Sequence, residues 1–386
     1  MQKIISIVLA IIMFLAPTVN IPNIEVDEAK FKTEYTNVFV HGLGGWGEYD
    51  AQYKFMPYWG MFGGDLMKYL NARGFKSVAA SVMPTGSAWD RACELYAQLT
   101  GTVTDYGREH SERCHHARYG TDFSGNALVE KISATDKINL YGHSFGGATV
   151  LMFLELLANG SEAEKKTTPE NELSDFFKGG KAEWVNSVVT LAAPMNGTTA
   201  YNVQEEIEVD PNATLEEKAI VFILSNGTAA PDDGRIAEDS AAYDMYIDNA
   251  IKMCEGFETL KNVYYFSIPC AQVTQNEDGT YSPVTDKMEF LFKACSARMG
   301  KYTGKTKGGY VVDASWQMND GLVPTISAKA PFNAPQKDFD ENNITKGIWN
   351  VMPTYTGDHM SLEGGLLKTN NVRELYVDLL SMINGL

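Results

Sequence analysis

The stretch Gly142-His143-Ser144-Phe145-Gly146-Gly147 lies between a short apolar run, 138–141, and a segment of helical apolar spacing, 148–157. A serine in a tight strand-to-helix turn, with glycines two positions to either side, has its oxygen thrust out at the end of a sheet. The start of the following helix adds positive charge beside it. Such a serine becomes a nucleophile when a base, itself held by an acid, takes its proton. Behind this kind of turn the partners follow in the order Asp, then His. His359 is the only histidine after Ser144, so the role of base falls to it. Asp320, in Asn319-Asp320-Gly321, is the expected acid, with Asp358 and Asp313 as rivals. Asp358 adjoins His359 in the chain, and a chain neighbour cannot easily reach across to the ring. His143 should point away from Ser144 and serve packing.

Charge developing on an attacked carbonyl calls for two backbone N–H groups. Phe145, directly after the serine, supplies one. The glycine-rich turn His41-Gly42-Leu43-Gly44-Gly45 should supply the other at Leu43, because glycines let the main chain approach a substrate closely.

A second group of chemistry-bearing residues is His110, His115 and His116 within Arg108-Glu109-His110-Ser111-Glu112-Arg113-Cys114-His115-His116. Imidazoles with nearby carboxylates suit Zn²⁺. The spacing matches no common zinc finger, so a solvated polar loop is the competing account, and Cys114 keeps a mixed His/Cys site open.

Several elements must position these groups. Apolar, strand-like runs occupy 38–40, 77–82, 138–141, 187–192 and 263–268, and helical spacing covers 65–72 and 148–157. Strands that are apolar throughout, alternating with helices, predict a mostly parallel sheet covered on both faces. Two stretches break the alternation and read as insertions. One is 86–123, polar and aromatic. The other is 200–250, acidic and loop-rich, with one helix opened by the capping box Thr214-Leu215-Glu216-Glu217.

The composition excludes other classes. With 32 Lys and Arg against 49 Asp and Glu, the net charge is −17, which repels nucleic acid and anionic lipid surfaces. Lys3 followed by an apolar run over 4–16 is too short to span a bilayer but suits a signal peptide, 1–29, with cleavage between Ala16 and Ala29. That predicts a secreted, extracellular mature chain, 30–386, folded as a single domain. The five cysteines have irregular spacing and no CxxC pair, so most read as buried free thiols.

Beyond single motifs, the chain resembles the zinc-containing true lipases of thermophilic Gram-positive bacteria, the thermoalkalophilic lipases. The likeness runs from about Val38 to the C-terminus. It includes Ser87-Ala88-Trp89-Asp90-Arg91-Ala92-Cys93-Glu94, Asp105-Tyr106-Gly107, His116-Ala117-Arg118-Tyr119-Gly120, Ala193-Pro194-Met195-Asn196-Gly197-Thr198-Thr199 and Asp358-His359. The resemblance implies an α/β-hydrolase fold and hydrolysis of triacylglycerols and other carboxylic esters. It also implies one structural zinc in a subdomain at 86–123, held by Asp90, His110, His116 and Asp239, with Asp244 as the alternate for the last. His115 is then a bystander.

Three departures from that family stand out. Gly142 replaces the usual alanine. Ser361 stands where the family has a calcium-binding glutamate, so calcium is not expected. The lid region, 200–250, is shortened between Thr199 and Asp239. A short lid predicts an accessible serine, little interfacial activation and polyesters as a further substrate class. Lipid or ester substrates, met at an oil–water or polymer interface, are the expected partners, without stable membrane insertion. Two other classes compete: a metallohydrolase working through the histidine cluster, which would survive loss of Ser144 but not chelation, and a non-catalytic binding protein on a hydrolase scaffold. Intact Ser144, Asp320 and His359 in the right order count against the latter.

Overall fold

The computed structural model describes residues 32–227 and 233–386; the segment 1–29, expected from its sequence to be a signal peptide, lies outside them. Seven strands form the central sheet: β1 (Thr36–Val40), β2 (Ser77–Ala80), β3 (Ile138–His143), β4 (Val185–Leu191), β5 (Tyr264–Ile268), β6 (Gln336–Asp338) and β7 (Trp349–Val351). Their spatial order is β6-β7-β5-β4-β3-β1-β2, and every neighbouring pair is parallel. The five strand-like runs of the sequence thus form the inner sheet and one edge. The other edge, β6 and β7, is three residues per strand, too short for a periodic signal.

Because successive side chains of a strand point to opposite faces, the sheet builds two cores. On one face Val38, Val40, Leu140 and Val188 meet the helices α2 (Ala88–Thr100) and α4 (Phe145–Asn159). On the other, Phe39, Tyr141, Val189 and Phe266 meet α1 (Leu66–Asn71) and the C-terminal helix α10 (Arg373–Asn384). Phe39 stacks on Tyr141 at 4.5 Å between ring centroids. All five cysteines are free and buried. No helix among the described residues is long and apolar enough to cross a membrane.

The two stretches read as insertions contain more regular structure than their composition suggests. The first half of 86–123 is α2, a helix of the core layer; its second half is α3 (Arg108–Cys114) flanked by a short antiparallel pair, Val103–Asp105 with Tyr119–Asp122. Asp90, Arg91 and Gln98 of α2 are fully buried, so the helix carries polar residues on its inner side and shows no clean apolar stripe. The region 200–250 is not loop-rich. It holds α5 (Ala200–Val209), α6 (Leu215–Gly227), α7 (Ala241–Met245) and α8 (Ile247–Glu255). The capping box at the start of α6 forms in both directions: Glu217 N–H donates to Thr214 Oγ1 at 3.2 Å and Thr214 N–H to Glu217 Oε2 at 2.7 Å.

Helices α5 and α6 lay their apolar sides, including Tyr201, Val203, Ile220 and Leu224, into one cluster with Phe145, Ala148, Cys295 and Met299, and Leu43 packs against it. Cys295 and Met299 belong to α9 (Phe290–Met299). Arg298 of α9 also reaches the α5–α6 pair, through Asp210 Oδ2 at 2.9 Å and Glu217 Oε1 at 2.7 Å.

Candidate active site and metal cluster

Ser144 sits at the C-terminal end of β3, with φ 53° and ψ −128°, a conformation that costs a non-glycine residue strain. The turn tolerates only glycine on both sides. A Cβ at Gly142 would lie 2.4 Å from the Gly146 carbonyl oxygen, and one at Gly146 would lie 2.2 Å from that of Val40. The strand-to-helix turn expected from the motif is thus present in full.

His359 Nε2 lies 2.8 Å from Ser144 Oγ, and His359 Nδ1 lies 2.9 Å from Asp320 Oδ2. The other oxygen of Asp320 accepts the N–H groups of Leu322 at 3.0 Å and Val323 at 2.7 Å, which fixes the carboxylate's plane. The His359 N–H also donates to the Asp320 carbonyl at 2.9 Å, binding the two residues through main chain and side chain together. Burial disfavours the imidazolium, but the Asp320 charge and hydrogen bond outweigh it and raise the His359 pKa.

The rivals for the acid are occupied elsewhere. Asp358 accepts the Glu289 N–H at 2.6 Å and the Ser361 hydroxyl at 3.0 Å. Asp313 accepts the Ser315 N–H at 2.9 Å in an exposed turn. His143 does point away from Ser144, yet it is more than packing: both ring nitrogens have close polar partners.

The turn at 41–45 runs against the serine, since a Cβ on Gly42 would lie 2.7 Å from Ser144 Cβ. Its polar groups are almost all committed. Arg91, fully buried, donates to the carbonyls of His41, Gly42 and Met83 and, through Nε, to Thr149 Oγ1 at 2.8 Å. His41 Nδ1–H donates to the Gly42 carbonyl at 2.8 Å, while its Nε2 accepts the Val82 N–H at 3.3 Å. Burial, then Arg91, pushes the His41 pKa down to about 3, which keeps the ring neutral and this tautomer in place. Gly42 N–H donates to Tyr58 Oη at 3.1 Å. Among the described residues the Leu43 N–H has no acceptor. A trans peptide points its N–H opposite its carbonyl, so fixing the Gly42 oxygen also aims the Leu43 N–H. Phe145 is the first residue of α4 and its amide has no acceptor within the helix. Together these two amides can serve an oxyanion.

Sequence reasoning missed Tyr58, Arg91 and His41. Arg91 and His41 lie inside the sequence motifs but carry no signal of their own there, and Tyr58 is set by contacts across the fold.

The second cluster joins Asp90 of α2, His110 of α3, His116 just beyond it and Asp239 just before α7. One ligand atom from each lies within 4.8 Å of all the others. His116 Nδ1–H donates to the Ala117 carbonyl at 2.9 Å, which leaves the Nε2 lone pair facing the cluster. His116 Nε2 and Asp239 Oδ1 are buried without a hydrogen-bond partner. Two buried orphan acceptors aimed at one point are costly unless a cation satisfies them, and this donor set therefore fits a metal. Arg235 binds the outer oxygens, Asp90 Oδ2 at 2.6 Å and Asp239 Oδ2 at 3.1 Å. Without a metal, burial disfavours a charged His110, but the facing carboxylates of Asp239 and Asp90 outweigh it and hold the His110 pKa up at about 11, so a binding cation displaces a proton there. Asp244, the alternate ligand, is not in the cluster; its carboxylate caps α2 by accepting the Ala88 N–H at 2.7 Å. His115 is exposed at the end of α3, and Cys114 Sγ sits 3.9 Å from His110 Nδ1, on the far side of that ring from the cluster.

A parallel sheet carrying a strained serine at a strand end, with its histidine and aspartate arriving from later loops, defines an α/β-hydrolase fold. The chain belongs to the lipase-like, C-terminal domain family, whose sequence profile matches residues 33–213 and 234–379. It is 31% identical over 355 residues to a lipase of Staphylococcus hyicus, covering 85% of this chain and 53% of that protein. The chain thus spans about half the length of the curated relatives it matches. Among solved structures, EstA from Clostridium botulinum superposes with a TM-score of 0.78 at 28% identity, covering 97% of this chain and 93% of that one. The Staphylococcus hyicus lipase structure gives 0.75 at 26% identity, covering 94% and 98%.

Proposed function

We propose that this chain is a secreted serine carboxylester hydrolase, a lipase or esterase acting through an acyl-enzyme on Ser144. The observation that carries this reading is the continuous chain of contacts from Asp320 to His359 to Ser144 Oγ at the strained turn. In the reaction, Ser144 Oγ attacks the ester carbonyl as its proton passes to His359 Nε2. The carbonyl oxygen takes up the negative charge and accepts hydrogen bonds from the Leu43 and Phe145 amides. Asp320 stabilises the imidazolium, which then gives its proton to the departing alcohol. Water, deprotonated by the same histidine, attacks the acyl-enzyme and frees the acid and the serine.

The metal cluster is proposed as structural and its ion as zinc. Two carboxylate oxygens and two imidazole nitrogens make a closed four-ligand set of borderline character, with no position left for a reacting water. Such an ion would tie α2 and α3 to the segment leading out of the α5–α6 flap. That argues for the serine mechanism over the metallohydrolase alternative. Secretion rests on the basic residue and apolar run at the N-terminus. The substrates are lipid or other carboxylic esters, with polyesters as the extended class; the acidic charge disfavours nucleic acid.

The test is a chain-length series of p-nitrophenyl esters beside emulsified triglyceride and a polyester film. A serine-directed phosphonate should label Ser144 in parallel. Hydrolysis that persists with Ser144 fully labelled, or that stops on chelation before the fold is lost, would replace this reading with the metal-centred one.

A further inference from the structure

Beneath the site runs a line of buried hydrogen bonds from the turn at Gly42 to the main chain of His359. Gly42 N–H donates to Tyr58 Oη at 3.1 Å. A tyrosine has one proton, and with Oη accepting from Gly42 that proton goes to His143 Nδ1, 2.6 Å away. A neutral His143 then carries its own proton on Nε2, which faces the His359 carbonyl at 2.9 Å. Tyr58 and His143 are buried, and the rings of His143 and His359 lie 5.0 Å apart. The line begins in the turn that presents the Leu43 amide and ends on the main chain of the base. It passes through the residue next to the nucleophile.

Resting on the proposed serine mechanism, we propose that Tyr58 and His143 are positioning residues. By this relay they lock the oxyanion turn and the main chain of His359 to one another, so that the Leu43 amide and the base keep a fixed geometry about Ser144.

The surroundings support that role. His359 is pinned on both sides of its Cα, its N–H by the Asp320 carbonyl and its carbonyl by His143. Without the second tie the imidazole could pivot about the first. Glu363 Oε1 lies 2.5 Å from His143 Nε2, and neither carboxyl oxygen has a satisfied hydrogen bond. Burial pushes this carboxyl well above its usual range, which disfavours a full negative charge beside His143. Burial likewise holds His143 in its neutral form, the form that can accept from Tyr58 and donate to His359. Tyr58 touches neither the substrate position nor Ser144 by any hydrogen bond, so its effect on rate would pass entirely through the groups it holds.

The test is Tyr58→Phe in the full chain, which removes one oxygen and leaves the ring. With active sites counted by phosphonate titration, kcat should fall about 10- to 100-fold, less than outright loss of an oxyanion donor, while KM stays within about twofold. His143→Phe should fall by a similar factor, and the double variant no further than the worse single, because both cut the same relay. A lower Tm with unchanged kcat per titrated site would overturn the proposal, as would additive losses in the double variant. Should His143→Phe fail to fold, Tyr58→Phe decides alone. A second readout is independent of turnover: in protein labelled with ¹⁵N-histidine, Tyr58→Phe should move the ring resonances of both His143 and His359. An unmoved His359 would overturn the coupling even in a protein without esterase activity, whereas failure of the serine mechanism would show as wild-type protein that neither hydrolyses esters nor is labelled at Ser144.

Discussion

His359 Nε2 stands 2.8 Å from Ser144 Oγ although 215 residues separate them in the chain. Distance along the chain is therefore spent on one contact, which the sheet secures by ending β3 at the serine and delivering 359 from the loop beyond β7. Under the proposed mechanism nucleophile and base act as one unit, so Ser144→Ala and His359→Ala should each cut kcat by about a thousandfold or more, and the double variant should be no worse than either. Near-normal turnover in a folded Ser144→Ala protein, with circular dichroism unchanged, would remove the serine from the mechanism.

Asp320 has a signature that the neighbouring Asp358 lacks. Only neutral His359 can take the serine proton, so kcat/KM should fall as the pH drops through the His359 pKa. That pKa is raised, so the acid limb should lie above the ordinary imidazole value. Asp320→Asn removes the largest upward influence and leaves burial opposed only by the lesser contributions of Glu363 and Asp358. The limb should then move to lower pH, while the plateau falls by about a thousandfold or more. Asp358→Asn should shift the limb much less and chiefly lower Tm, since that carboxylate supports the Glu289 amide. A pH–rate profile of each variant checks the assignment, and the reverse pattern would exchange the two aspartates.

What the sequence revealed follows from the range over which its chemistry is encoded. The elbow is local: Gly142, Ser144 and Gly146 are needed within five residues, because a side chain at either glycine would strike backbone. His359 was found by elimination, and Asp320 by its place before a glycine turn. The frame around the oxyanion turn was not legible, since it depends on Arg91 and Tyr58 meeting 41–42 from other elements. Helix α2 reads as part of a polar insertion for a related reason. Its inward residues include Asp90, Arg91 and Gln98, each hydrogen-bonded in the core, and a periodicity reading counts such residues as solvent-facing. Of the helices of 200–250, α6 is announced by its capping box, whereas α5, α7 and α8 are ten residues or fewer and too short for a clear periodic signal.

The metal cluster should govern stability before it governs catalysis. Purified protein should contain about one zinc per chain, and chelation should lower Tm by ~2–4 °C for each kcal/mol of binding free energy removed. Turnover per folded chain should change less. Asp90→Ala and His116→Ala should reproduce the chelated Tm and gain nothing from added zinc, whereas wild-type protein should recover. Thermal melts with and without chelator, beside metal analysis, measure this. Equal melting of metal-free and metal-loaded protein would end the structural-metal reading.

The flap is where the structure modifies the expectation drawn from length. A shortened lid suggested an open cleft, but Ser144 is only 7% exposed, and α5 and α6 bury their apolar sides in the cluster that contains Phe145. Each Å² of that contact favours the closed form by ~25 cal/mol, and an interface must supply as much before a bulky ester can enter. The ion pairs of Arg298 with Asp210 and Glu217 add a latch, though a partly exposed one that salt screens. Wild-type activity on tributyrin should therefore rise at the solubility limit. Leu224→Asp, which places a charge in the buried face of α6, should flatten that rise and raise the rate on dissolved ester. Arg298→Ala should act in the same direction but more weakly, and its difference from wild type should shrink at high salt. Rate–concentration curves for the three proteins, at low and high ionic strength, decide the matter. A wild-type curve without a rise, matched by Leu224→Asp, would show that the two helices do not stand between substrate and Ser144.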